Sequence, residues 1–198
     1  MPLATNLFRH NDAFSPTIAA VSYVLLLYIG GFLLMFSEAL WINLIGVIGL
    51  VHAMVIAAYL IHDAAHLSMF KAKQHNWWFA EVMLWITGSS YSNYDDILRK
   101  HNRHHSDRAD IVSFDFRPIL AKYPIFLKIL QTLEWFYIPA LEVFMHLLVI
   151  ILPFVKTNRK QRRLRVVTVF FLRMVFCIFL ANISLHVLWL YPLSYMLF

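Results

Sequence analysis

Five of the chain's ten histidines fall in two short clusters, His62-Asp63-Ala64-Ala65-His66 and His101-Asn102-Arg103-His104-His105. An α-helix returns to one face after three or four residues. His62 and His66 therefore share a face, as do His101, His104 and His105. Five imidazoles so arranged suit a first-row transition metal: iron, copper, zinc or nickel. Calcium and magnesium prefer oxygen ligands and fit poorly. A single His-x3-His pair arises readily from packing, whereas two clusters with aspartates close by are a strong metal signal. Asp63, Asp107, Asp110 and Asp115 would serve either to orient ligand rings or as a solvated face. The five histidines are the candidate metal ligands, and no further catalytic or cofactor-binding residue stands out.

The elements that must position them are apolar. Of 198 residues, 61% are hydrophobic and 14% charged, against about 25% charged in soluble domains. The mean hydropathy is +0.64. This composition predicts an all-α, polytopic integral membrane protein forming a single domain over residues 1–198. Thr17–Phe36 and Trp41–Leu60 are uncharged runs long enough for a hydrocarbon core of roughly 30 Å. Joined by Ser37–Leu40, they form a hairpin with Trp41 as an interfacial anchor. The first histidine cluster follows where the second run leaves the membrane.

Trp77–Tyr91 is apolar but short and contains Glu81, so an interfacial or re-entrant helix is expected. The second cluster lies in the polar stretch Asp95–Asp115. Residues 118–135 mix Lys122 and Lys128 with large apolar residues, as in an amphipathic surface helix. Tyr137–Val155 has the length of a span. If it crossed, however, the basic run Lys156–Arg165 would oppose the other basic loops, against the positive-inside rule. A re-entrant or interfacial segment is the expectation, with Glu142 and His146 one turn apart. Val166–Ala181 and Val187–Phe198 make a second hairpin, with Arg173 reaching back along its aliphatic stem to the basic side. The expected total is about four transmembrane helices in two hairpins, plus interfacial helices.

Three other features narrow the function. The net charge of +6 is accounted for by cytoplasmic loops facing anionic lipid, and no nucleic-acid motif accompanies it. The lone Cys177 forms no intrachain disulfide and no zinc knuckle. His52, inside the second span, is expected to be a neutral side chain bonded to a neighbouring helix.

His62-Asp-x2-His66 and His101-x-Arg-His104-His105 resemble the first two histidine boxes of the membrane fatty-acid desaturase and hydroxylase superfamily. So does the order of hairpin, box, short apolar segment, box and second hairpin. The trailer Asp110-Ile-Val-Ser-Phe-Asp115 is similar to that of its bacterial members. The resemblance implies two iron ions (Fe2+) ligated by His62, His66, His101, His104 and His105 on the cytoplasmic side. It implies O2 as co-substrate and a separate electron donor of ferredoxin or cytochrome type. The implied substrate is a lipid acyl chain, held in a membrane lipid or acyl thioester, which the enzyme desaturates.

A hydroxylase or ketolase acting on a carotenoid, sterol or alkane shares these two boxes. A metal transporter would place its ligands near the bilayer midplane rather than at a helix exit and in a polar stretch. The superfamily's third box, His-x2-His-His, does not occur in these residues. The apolar ending at Phe198 leads to the expectation of a chain incomplete at its C-terminus, the alternative being a non-catalytic short form. Asn182-x3-His186 has the spacing of a ligand pair, but the expected topology puts it on the opposite membrane face.

Overall fold

The computed structural model describes residues 7–10, 12–107, 120–138, 140–155 and 159–198; within its helices the side chains of Lys100, His104, Ser106, Asp107 and Glu142 are outside the description. The Asp110–Asp115 trailer and the start of the basic run, residues 156–158, also lie outside the described residues. Those described form eight helices and no strand. In chain order they are α1 Phe14–Leu34, α2 Leu40–Ala65, α3 Lys73–Ile86, α4 Tyr94–Asp107, α5 Pro124–Trp135, α6 Ala140–Val155, α7 Lys160–Ile183 and α8 Leu185–Leu197. Three of these, α1, α2 and α7, are long and apolar enough to cross a membrane. At 1.5 Å per residue, α8 is about 20 Å long and α6 about 24 Å. Both are apolar but shorter than the roughly 30 Å core.

The chain divides into two compact units, Met1–Tyr94 with Val169–Phe198, and Asp95–Thr168. In the first, α1 and α2 form the expected hairpin. Their crossing is a backbone contact between glycines. A Cβ on Gly31 would lie 2.7 Å from the Gly46 carbonyl oxygen, and one on Gly46 would lie 2.6 Å from that of Gly31. Small residues let two apolar helices meet closely where no hydrophobic effect drives them together in lipid. α2 is one unbroken helix from Leu40 to Ala65, so the first histidine cluster sits on the last turns of the span itself.

His52 is hydrogen-bonded to Tyr23 of α1 (Nδ1···Oη 3.1 Å), as expected for a histidine satisfied by a neighbouring helix. α3 is short, with 14 residues, in keeping with an interfacial or re-entrant element. Arg173 of α7 finds partners within the unit. Its guanidinium donates to the Gly88 carbonyl at 2.8 Å and lies over the Tyr195 ring. Gly88, just past α3, has φ +78°, and the bare Cα makes room for Tyr195.

In the second unit, Asp95 and Asp96 open α4, where negative charge favours the positive end of the helix dipole. Asp96 pairs with Arg99 on the same helix and with Arg162 at the start of α7. α5 begins at Pro124, later than expected, and proline is well placed in a first turn because its missing N–H has no partner to lose there. Leu120, Leu130 and Ala140 form a small core between α5 and α6, joined by Leu127, Leu133 and Phe144.

Candidate metal centre

His62 and His66 meet at the C-terminal end of α2, with ring centroids 4.7 Å apart. Both are exposed, as suits side chains that take up an ion from water. The end of α2 is built to stop there. Leu67 adopts φ 54°, the Ser68 N–H donates to the Asp63 carbonyl (3.2 Å), and the Leu67 N–H donates to that of Ala64 (3.0 Å). These two bonds around a left-handed residue form a Schellman cap, which glycine usually occupies. Here leucine occupies it, at a cost of roughly 1–2 kcal/mol.

The chain before α1 secures the following loop. Phe8 pairs with Phe70 in an isolated bridge. The Arg9 amide donates to the Met69 carbonyl at 3.0 Å and its guanidinium to that of Leu67 at 2.9 Å. Asp63 lies 3.8 Å from His62 Nδ1. That is beyond hydrogen-bond length, so Asp63 acts on this ring only as a nearby charge in the arrangement seen.

His101 and His105 form the second pair on α4, with ring centroids 4.5 Å apart. His101 is buried at 5% exposure and His105 is exposed. His104 follows one turn after His101 in the helical backbone of α4, and its side chain is outside the description. Four of the five expected ligands thus form two i, i+4 pairs, one on each helix. All are imidazole donors, which fit iron, zinc or copper better than a hard cation.

His186 is placed elsewhere. Its Nε2 donates to the Met35 carbonyl at 2.9 Å, and its Nδ1 accepts from the Ser184 hydroxyl at 3.0 Å. Met35 is at the hairpin-turn end of α1, so roughly 33 Å of α2 separates that level from His62. With both ring nitrogens engaged there, His186 does not complete the first pair.

Two residues at the first pair carried no marked functional signal in the sequence. Tyr94, the first residue of α4, donates its hydroxyl to the Ala64 carbonyl at 2.5 Å, and its own backbone N–H is accepted by Glu81 Oε1 at 2.9 Å. Glu81 was visible as a lone charge in an apolar segment. Nothing in the sequence pointed to Tyr94.

No curated protein and no solved structure matches the chain. The Fatty acid desaturase family matches residues 39–198, a stretch that includes all five histidines. On that match the chain belongs to the fatty acid desaturase family.

Proposed function

We propose that this protein carries out O2-dependent desaturation of a fatty acyl chain, of a membrane lipid or acyl thioester. The proposed site is a di-iron centre whose ligands include His62, His66, His101, His104 and His105. The observation that carries the reading is the pair of i, i+4 histidine couples inside the residues matched by the family. The donor set fits iron, since each couple offers imidazole nitrogens at the spacing of one helical turn.

When bound, the iron pair supplies the O2-derived oxidant that removes hydrogen from an unactivated C–H bond. The protein's own residues would hold the ligand rings, His62 and His66 on α2 and His101, His104 and His105 on α4. Forming one double bond yields two electrons and two protons. Reducing O2 to two waters takes four of each, so two further electrons come from a separate donor of ferredoxin or cytochrome type, with two protons from solvent. We place the whole chain in one desaturase-like domain with the five candidate ligand histidines on the cytoplasmic side. In support, Arg159, Lys160, Arg162, Arg163 and Arg165 crowd the entry to α7, and Arg162 is tied to Asp96 on the helix of the second pair.

The test is lipid profiling of a host expressing the protein, together with metal analysis of the purified enzyme. New acyl double bonds and about two irons per chain are expected, and His104→Ala should abolish the product. Hydroxylated or keto products would move the reading to the alternative chemistry. Zinc alone after anaerobic iron loading, or full product from His104→Ala, would count against the assigned centre.

A further inference from the structure

We infer that Tyr94 is a positioning residue for the His62–His66 half of the metal site, acting through the Ala64 carbonyl, with Glu81 holding Tyr94 in turn. The inference rests on the metal-centre reading above and adds a residue to it. His66 is the C-cap of α2, and helix ends fray because their last carbonyls have no intrahelical donor. The Schellman bonds close this end, and a contact from outside the helix fixes the direction of a ligand placed there more tightly.

Ala64 lies between the two histidines in that turn. Its carbonyl accepts from Leu67 N–H at 3.0 Å and from the Tyr94 hydroxyl at 2.5 Å. The Tyr94 side chain is fully buried, so water does not substitute for it. Its backbone is fixed independently, because the Tyr94 N–H, without an acceptor of its own inside α4, is taken by the buried Glu81 carboxylate. This also accounts for a carboxylate within the apolar stretch Trp77–Ile86 of α3. The phenol thus connects that anchor to the last turn of α2, which bears both histidines of the first pair. Groups that orient metal ligands without touching the metal typically change affinity by about 10–100-fold.

The experiment compares the wild-type protein with Tyr94→Phe, His66→Ala and Tyr28→Phe in lipid nanodiscs. Tyr94→Phe removes one hydroxyl and keeps the ring. Tyr28→Phe is the control, because it removes a part-buried tyrosine hydroxyl from the same unit, one bonded to Tyr191 and Tyr195. Three quantities are read: iron retention against a chelator, the ligand-field spectrum of the cobalt(II)-loaded protein at saturation, and amide exchange at residues 66–68 without metal.

Tyr94→Phe is expected to lose about tenfold in metal affinity, to shift the cobalt spectrum, and to speed exchange at Leu67 and Ser68. Tyr28→Phe should do none of these. The proposal is overturned if Tyr94→Phe matches wild type in retention and spectrum while His66→Ala loses metal, and the metal centre then still stands. Equal losses in Tyr94→Phe and Tyr28→Phe overturn it too, by showing a general loss of stability. If His66→Ala also keeps wild-type metal binding, the metal-centre reading falls along with the proposal.

Discussion

Adding one methyl group to Gly46 should weaken the α1–α2 hairpin, while adding it to Gly30, on the same hairpin, should not. Glycine inside a helix normally costs about 0.5–1 kcal/mol relative to alanine, so both substitutions start with that gain. At Gly30 a Cβ meets nothing within 4 Å, and the gain stands. At Gly46 the Cβ would lie 2.6 Å from the Gly31 oxygen, 3.1 Å from Leu34 Cβ and 3.2 Å from the Met35 nitrogen. Two of those neighbours are backbone atoms, which cannot rotate away. Ordinary contact requires about 3.5 Å, so the helices must separate by the better part of an ångström. Overpacking of this kind costs about 1–3 kcal/mol.

Gly30→Ala is therefore expected to stabilise by up to about 1 kcal/mol, and Gly46→Ala to be net destabilising by about 1–2 kcal/mol. The assay is reversible unfolding in mixed micelles, followed by circular dichroism, with both variants and wild type at one detergent composition. Gly31→Ala combined with Gly46→Ala should be less costly than the sum, because one separation of the helices relieves both contacts. If Gly46→Ala is as stable as Gly30→Ala, the crossing does not depend on glycine contact and the reasoning is refuted.

Two further outcomes follow from the same unit. His186→Ala should cost about 0.5–1.5 kcal/mol for each hydrogen bond lost yet leave iron content unchanged; a fall in bound iron without a fall in stability would make His186 a ligand after all. Gly88→Ala combines a left-handed backbone, φ +78°, with a Cβ 2.6 Å from Tyr195 Cδ1. The backbone term alone costs roughly 1–2 kcal/mol, so the variant should melt lower than Gly46→Ala, and an unchanged melting curve would show that the Tyr195 ring and the turn adapt freely.

The sequence by itself determined what depends on near neighbours along the chain. Uninterrupted apolar runs fixed α1 and α2 as membrane-length helices, because backbone groups in lipid must be satisfied within one segment. Four-residue spacing put His62 beside His66 and His101 beside His105, since helix geometry alone brings such rings together. The shortness of α3 and the bonded state of His52 were legible for similar reasons. Which faces meet was not legible, and the tertiary structure decided it. A helix that is apolar all round, as one facing lipid must be, shows no stripe to mark its inner side. The contact of Gly31 with Gly46, the hold of Arg173 on Gly88, and the pairing of Phe8 and Arg9 with the loop after His66 therefore left no local trace. The bond from Tyr94 to Ala64 spans 30 residues. It exists because folding brings a buried phenol to a carbonyl in the last turn of a distant helix, and no spacing rule encodes that meeting.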